Sequence, residues 1–188
     1  CPHRGAYYVL NKLGLTVTGD IGCYTLGALP PTEAMDTCVC MGASVSMAHG
    51  MEKARGKEFA RKTVAVIGDS TFMHSGVTGL IDIVYNKGIS TVIILDNSIT
   101  GMTGHQENPT TGYTIKGEPT RQVDLVKLSE AIGIERVVVT DPFDLPEFER
   151  VVKEETAVDQ PSVIISQRPC ALLETAEYSG YVTIDPDI

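Results

Sequence analysis

Short runs of consecutive apolar residues alternate along the chain with stretches in which the apolar positions follow a helical spacing. Continuous apolar runs are typical of strands that are buried on both faces. They predict strands at Leu15 to Thr18, Thr37 to Cys40, Thr63 to Ile67, Thr91 to Leu95, Arg136 to Val139 and Ser162 to Ser166. Helical spacing predicts helices at Gly42 to Ala54, about Ser75 to Tyr85, Val123 to Ile132 and Leu145 to Thr156. This alternation favours an α/β fold with a mostly parallel sheet covered on both faces.

One long segment, from Ser98 to Arg121, lacks any periodicity and is dominated by Gly, Thr and Pro. Loops of this length in compact domains are usually functional or disordered. Polar pairs follow three of the predicted strands, at Gly19-Asp20, Gly68-Asp69 and Asp96-Asn97. Because open parallel sheets bind their ligands beyond the carboxyl ends of the strands, we expect the chemistry of the protein at these three positions.

Composition narrows the class of partner. The chain has 188 residues, enough for one domain with a substantial core, and a formal net charge of −9. Such a charge argues against nucleic acid or an anionic membrane as the main partner, although backbone N–H groups and a divalent cation can still hold a phosphate locally. No apolar run approaches the ~20 residues that span a bilayer, and no signal peptide is visible.

The cysteines and the chain ends give two further expectations. Five cysteines without a secretory context predict free thiols or metal ligands in a reducing cytoplasm, rather than a disulfide framework. The chain begins at Cys1 and stops after Ile188, and both ends resemble cuts in a longer sequence. We therefore interpret residues 1–188 as a single module, a fragment of a longer subunit.

The strongest chemical signal is Gly68-Asp69-Ser70 followed, at the end of the next predicted strand, by Asp96-Asn97. Carboxylate and amide oxygens are ligands that suit Mg²⁺, which commonly also binds phosphate oxygens and water. The pattern resembles the thiamine-diphosphate motif, Gly-Asp-Gly followed by Asn-Asn, from which Ser70 and Asp96 depart. The resemblance implies that Asp69 and Asn97 bind the metal through their side chains, and Ile99 through its backbone carbonyl.

A wider resemblance covers essentially the whole chain. In order, the sequence contains Cys1-Pro2-His3-Arg4-Gly5, Gly19-Asp20-Ile21-Gly22-Cys23-Tyr24, Cys40-Met41-Gly42-Ala43-Ser44, Gly68-Asp69-Ser70-Thr71-Phe72, His74-Ser75-Gly76 and Met102-Thr103-Gly104-His105-Gln106. Together these motifs resemble the large subunit of the indolepyruvate ferredoxin oxidoreductases. The resemblance implies a three-layer α/β/α thiamine-diphosphate-binding fold in an anaerobic, cytoplasmic enzyme. The implied reaction is oxidative decarboxylation of an aryl pyruvate to an acyl-CoA.

The same resemblance implies several partners. Coenzyme A would be the co-substrate, ferredoxin the electron acceptor, and a second (beta) subunit part of the assembly. Iron–sulfur clusters would lie in the full-length subunit. In this family a separate module contacts the aminopyrimidine and supplies the activating glutamate, and no segment of this chain matches that module.

Site residues follow from the resemblance. Cofactor contacts are expected at Gly22, Cys23, Gly42, Ala43, Gly68, Asp69, Ser70, Asn97, Met102 and Thr103. Catalytic roles at the substrate are expected for His74 and His105, and His3 is a further candidate for the pocket wall. We interpret His49 as structural, and Cys38 and Cys40 as core residues. Related oxidoreductases bind a proximal cluster through cysteines at positions comparable to Cys1, Cys23 and Cys170, which are therefore candidate iron–sulfur ligands.

Two alternatives remain open from the sequence. The first is a nucleotide- or flavin-binding domain without catalysis, although no Gly-x-Gly-x-x-Gly follows any strand, which argues against the dinucleotide form. The second is a non-oxidative thiamine-dependent decarboxylase of the sulfopyruvate or phosphonopyruvate type.

Overall fold

Six strands, all paired in parallel, form one sheet in the order β2-β1-β3-β4-β6-β5 in the computed structural model. The structure describes residues 1–173, so the last part of the predicted 1–188 module lies outside the described residues. The strands are β1 (Thr16–Gly19), β2 (Thr37–Cys38), β3 (Thr63–Gly68), β4 (Thr91–Asp96), β5 (Arg136–Thr140) and β6 (Ser162–Gln167).

Seven helices accompany the sheet in the described part of the chain. They are α1 (His3–Lys12), α2 (Ala43–Arg55), α3 (Lys57–Ala60), α4 (Asp69–Thr71), α5 (Val77–Tyr85), α6 (Leu125–Ile132) and α7 (Leu145–Ala157). A wide π-helical turn, Phe72–Gly76, joins α4 to α5, and a 3-10 helix spans Cys23–Ala28.

The central strands β3 and β4 are buried along their whole length, because helices cover both faces of the sheet. Val64 and Val66 face one core, where α1 and α7 contribute Leu10, Val151 and their neighbours. Ala65 and Ile67 face the other core, which α2, α5 and α6 complete. Successive side chains of a strand point to opposite faces, so an uninterrupted apolar run supplies both cores at once. The predicted three-layer α/β/α architecture is confirmed.

The register of the sheet brings three strand ends together. Thr18 of β1 pairs with Ala65 of β3, and Gly68 at the end of β3 pairs with Leu95 near the end of β4. Since β1, β3 and β4 are consecutive neighbours, the residues that follow them leave the sheet at the same edge. The polar pairs predicted to carry the chemistry therefore all lie at the carboxyl ends of these three strands.

Most predicted elements are found within one or two residues of their predicted bounds, and 98–121 contains no helix or strand. The predicted helix from about Ser75 to Tyr85 corresponds to α5, and the helical structure that precedes it from Asp69 onward was not predicted. Helices α1 and α3 and the 3-10 helix were not predicted. The interpretation of Cys38 and Cys40 as core residues is wrong: β2 is an edge strand, and both residues are exposed.

Within residues 1–173 no helix combines the length and the apolar character that crossing a bilayer requires.

Helix α5 offers a matched test of the packing. Leu80 is fully buried against the sheet, whereas the next residue, Ile81, is 49% exposed. Leu80→Ala should lower the free energy of unfolding by about 2–5 kcal/mol, because it removes apolar contacts and leaves a cavity. Ile81→Ala should change it by no more than about 0.5 kcal/mol. Urea unfolding of both variants measures the difference, and equal losses would contradict this assignment of the helix face.

Candidate functional site

A cavity of about 160 Å³ lies at the shared carboxyl edge of β1, β3 and β4. Its walls come from the loop after β1, the start of α4, the end of β4 and the first residues of the long loop. Most of the residues predicted to bind cofactor or metal line this one cavity: Gly22, Cys23, Gly68, Asp69, Ser70, Asn97, Ile99, Met102 and Thr103. These residues therefore share one cavity, and their roles as ligands stay predictions.

Four predicted residues do not line the cavity. His74 is exposed on the π-helical turn, where its ring contacts the hydroxyl of Ser75 at 3.0 Å. His105 is exposed in the long loop, in the left-handed backbone region with φ of 61°. Neither imidazole lines the cavity. Gly42 and Ala43 follow Met41, which forms the wall at this point.

Asp69, the first residue of α4, is 3% exposed and is held from the long loop. Its carboxylate accepts hydrogen bonds from the Asn108 amide at 3.2 Å and from the Thr110 hydroxyl at 3.0 Å. Burial, and secondly the nearby carboxylate of Asp96, raise the pKa of Asp69 to about 6. A negative charge is therefore costly at this position unless a cation lies beside it.

The donor set fits a hard divalent cation. Asp69 offers a carboxylate, Asn97 an amide oxygen and Ile99 a backbone carbonyl, and all three residues line the cavity. Asp96 accepts a hydrogen bond from the N–H of Ser98, which has a positive φ of 60°, so the chain turns sharply between Asn97 and Ile99. Mg²⁺ is commonly bound by few protein oxygens, with phosphate and water completing six ligands. A cation here would also offset the repulsion between Asp69 and Asp96.

Asp20 follows β1, and its carboxylate holds together two segments of backbone near the cavity. The sequence indicated only that it lies at a strand end. The side chain is fully buried, and both carboxylate oxygens lie 2.9 Å from the N–H of Gly42. The N–H groups of Ile21 and Ser44 also donate to it. Gly42 has a φ of 88°, and a side chain there would collide with Ser75, so glycine is required by the backbone. The cofactor contact predicted at Gly42 stays a prediction, and the structure gives glycine at this position a conformational reason.

Tyr24 joins the loop after β1 to the start of α4. Its hydroxyl donates to the carbonyl of Ile21 at 3.0 Å and lies 3.2 Å from the hydroxyl of Thr71. The ring covers Gly68 so closely that a Cβ atom would lie 2.5 Å from a ring carbon. Glycine at the end of β3 is therefore needed for this aromatic contact. In the sequence Tyr24 was only the last residue of one motif, and no role was predicted for it.

His3 is buried beside Tyr24, with the two rings edge to face and 5.8 Å between centroids. It lines the cavity, and neither ring nitrogen has a hydrogen-bond partner. Burial, followed by the positive N-terminal amine, lowers the pKa of His3 to about 4, so the imidazole is neutral near pH 7. His3, the further candidate for the pocket wall, thus lines this cavity, and its role there stays a prediction.

The cysteines proposed as iron–sulfur ligands are not gathered into one set. Cys23 and Cys170 are neighbours, since burial and then the proximity of Cys170 raise the pKa of the Cys23 thiol. Across residues 1–173, however, no group of three or more His, Cys, Asp or Glu side chains is arranged to hold a metal ion. Cys1, Cys23 and Cys170 therefore do not form a three-thiolate site in this structure.

Comparison with known proteins shows which family the chain resembles. A family profile described as "Thiamine pyrophosphate enzyme, C-terminal TPP binding domain" matches residues 20–166. Indolepyruvate oxidoreductase subunit IorA of Pyrococcus horikoshii is 40% identical over 186 residues, covering 92% of this chain and 28% of that protein. The IorA subunit of Archaeoglobus fulgidus is also 40% identical, over 178 residues, with the same coverage. The chain thus spans less than a third of the length of these relatives.

Solved structures share the fold. The 2-oxoglutarate:ferredoxin oxidoreductase of Magnetococcus marinus, solved with 2-oxoglutarate, coenzyme A and succinyl-CoA, superposes with a TM-score of 0.75 at 17% identity, covering 90% of this chain and 62% of that one. Benzoylformate decarboxylase of Polynucleobacter necessarius superposes with a TM-score of 0.62 at 18% identity, covering 90% and 34%. At such identities the likeness concerns the fold alone.

The role of Asp20 can be tested by a single atom change. In Asp20→Asn an NH₂ group replaces one of the two oxygens and faces a backbone N–H that needs an acceptor. We expect the free energy of unfolding to fall by about 1–3 kcal/mol. Asp124→Asn is the matched control, because the donors from Val126 and Lys127 both use one oxygen, which an amide also provides. Urea unfolding that shows equal changes for the two variants would refute the assigned role.

Proposed function

The chain belongs to the thiamine pyrophosphate enzyme family, as a C-terminal TPP-binding domain, and we propose that it is the cofactor- and metal-binding module of a 2-oxoacid oxidoreductase acting on aryl pyruvates such as indolepyruvate. One observation carries the metal assignment. The Asp69 carboxylate, the Asn97 side chain and the Ile99 backbone line a single cavity beyond adjacent strand ends. The relatives named indolepyruvate oxidoreductase support the substrate class.

In this proposal Asp69, Asn97 and the backbone carbonyl of Ile99 would hold Mg²⁺, which would supply positive charge for the diphosphate group of the cofactor. Thiamine diphosphate, when bound, supplies the electron sink that allows a 2-oxoacid to lose CO₂. The residues of this chain bind and orient it. Asn108 and Thr110 hold the Asp69 carboxylate, while buried apolar side chains such as Leu95 exclude water from the cavity wall.

The overall reaction that we propose breaks the bond between the carboxylate carbon and the keto carbon of the 2-oxoacid. The acyl group is transferred to the sulfur of coenzyme A, and the thiol proton is released. Two electrons pass singly to two oxidised ferredoxins, which balances the oxidation of the acyl carbon. We assign the activating glutamate and the aminopyrimidine contacts to a separate module, and the iron–sulfur clusters to the remainder of a longer subunit that works with a beta subunit.

The two alternative functions that the sequence left open have weaker support. Membership of a thiamine-diphosphate family argues against a nucleotide- or flavin-binding domain. A non-oxidative decarboxylase has a specific observation in its favour, since benzoylformate decarboxylase shares the fold. The oxidative reaction is preferred because the relatives at 40% identity are named oxidoreductases, whereas the decarboxylase is 18% identical.

Removal of the carboxylate tests the metal site. Asp69→Ala should weaken the Mg²⁺-dependent binding of thiamine diphosphate by the assembled enzyme about 100-fold or more, because the only charged protein ligand is lost. Titration calorimetry with and without Mg²⁺ measures the effect. Asp82→Ala is the control: it removes a carboxylate that is 54% exposed on α5 and is not part of the cavity wall. If Asp69→Ala bound the cofactor as the unaltered protein does, the metal assignment would be wrong.

The reaction products distinguish the proposed oxidoreductase from a non-oxidative decarboxylase. The assembled enzyme, supplied with indolepyruvate, coenzyme A and oxidised ferredoxin, should form indoleacetyl-CoA and reduce ferredoxin in a 1:2 ratio. Mass spectrometry of the product and the absorbance of ferredoxin measure the two. Formation of the free aldehyde with ferredoxin left oxidised would instead establish the non-oxidative reaction.

A further inference from the structure

Asp96 and Asn97, consecutive residues at the end of β4, face different spaces. Asn97 lines the cofactor cavity, whereas Asp96 lines a separate depression of about 440 Å³ beyond the ends of β4 and β6. Both residues are buried. Because consecutive side chains of an extended chain point to opposite sides, whatever holds Asp96 in the depression also fixes the direction of Asn97.

The side chain of Gln167 holds the Asp96 carboxylate. Gln167 is the last residue of β6, pairs with Asp96 across the sheet and lines the same depression. Its amide NH₂ donates to Oδ2 of Asp96 at 2.8 Å, and the N–H of Ser98 donates to Oδ1 at 2.9 Å. Each oxygen of this carboxylate therefore has its own donor, and the two donors fix its orientation.

Backbone hydrogen bonds from the chain after β6 hold the same turn. The N–H of Arg168 donates to the carbonyl of Asp96 at 3.0 Å, and the N–H of Cys170 donates to the carbonyl of Asn97 at 2.9 Å. Arg168 is itself anchored, because its guanidinium forms an ion pair with Asp141 at 2.6 Å. The turn after β4 is thus held from β6 by one side chain and two backbone groups.

The position of Gln167 separates this contact from core packing. Gln167 is exposed, although the carboxylate that it holds belongs to a buried residue. Buried apolar side chains from Val163 to Ile165 already fix the pairing of β6 with β4 further inside the sheet. The amide of Gln167 is therefore not required to fill the core, and what it adds is the direction of one carboxylate.

We propose that Gln167 is a positioning residue for the metal site. By holding the Asp96 carboxylate in the depression, it keeps the amide oxygen of Asn97 and the carbonyl of Ile99 directed toward the cofactor cavity. This inference rests on the proposed function, in which these two oxygens and Asp69 hold Mg²⁺. Gln167 acts through Asp96 and does not touch the ion.

A charge placed at position 167 tests the proposal in the assembled enzyme. Gln167→Glu sets a second carboxylate against that of Asp96, so the turn should move and the affinity for Mg²⁺ should fall roughly 10-fold or more. Titration calorimetry with Mg²⁺ in the presence of thiamine diphosphate measures this affinity. A simple effect of charge would have the opposite sign, because an added carboxylate near the site attracts a cation. Unchanged or tighter binding of Mg²⁺ would therefore overturn the positioning role.

A double variant restores the contact with the donor and the acceptor exchanged. In Asp96→Asn/Gln167→Glu an amide at position 96 can donate to a carboxylate at position 167, and its oxygen can still accept from the N–H of Ser98. The total charge equals that of the unaltered protein. We expect the affinity for Mg²⁺ to return to within about 3-fold of normal. An affinity as low as that of Gln167→Glu alone would contradict the proposal.

Gln160→Glu is the matched control, because Gln160 lies in the turn before β6, at the opposite edge of the sheet. The same chemical change there should leave the affinity for Mg²⁺ within about 2-fold, since salt screens the distant charge.

Turnover separates a loss of affinity from general damage. At saturating Mg²⁺ the 2-oxoacid-dependent rate of Gln167→Glu should recover to within about 3-fold of normal, and a rate that stays low at every Mg²⁺ concentration would overturn the positioning role. If the unaltered enzyme bound thiamine diphosphate without any dependence on Mg²⁺, the proposed metal site would fail together with this role. Normal dependence on Mg²⁺ in both the unaltered enzyme and Gln167→Glu would remove the role alone.

Discussion

The burial of β3 and β4 on both faces is the constraint on which the site depends. Because both strands must fill two cores at once, their register is fixed, and a shift by one residue would exchange the two faces. Fixed register in turn places Asp69, which follows Gly68, near Asp96 and Asn97, which follow Leu95. The distance between the metal-ligand candidates is therefore set by apolar packing well inside the sheet, and the polar residues at the edge have only to supply the oxygens.

Sequence alone was sufficient for the parts of the molecule that are governed by apolar periodicity. The strands, the long loop and the position of Asp69 and Asn97 beyond adjacent strand ends were predicted, since buried strands produce continuous apolar runs and polar residues follow their last positions. Helix α1 was missed because its apolar face is interrupted by Gly5 and is rich in tyrosine, both of which lower helix propensity. The predicted strand at β2 ends two residues too far along the chain. Val39 continues the apolar pattern in the sequence, but it is exposed beside the edge strand of the sheet.

Residues that act through long-range contacts left no signal in the sequence. Asp20 lies 22 residues before Gly42, and Thr110 lies 41 residues after Asp69, so no local pattern connects them. The histidines illustrate the same limit. His74 and His105 were placed near the chemistry by their proximity in sequence, whereas His3, far from the motif in sequence, lines the cavity. The direction of a side chain depends on the turn that carries it, and turn geometry at Phe72–Gly76 is set by tertiary packing.

The contacts from Asn108 and Thr110 to Asp69 tie the long loop to the start of α4. Loss of either anchoring residue would remove one of the two loop donors to a buried carboxylate oxygen. The outer part of the loop is constrained in a different way, because Gly104 and Gly117 have φ values of 114° and 78°, a backbone region that residues with a side chain rarely adopt. Sequence change in this loop is therefore limited by hydrogen bonding at its base and by backbone conformation further out.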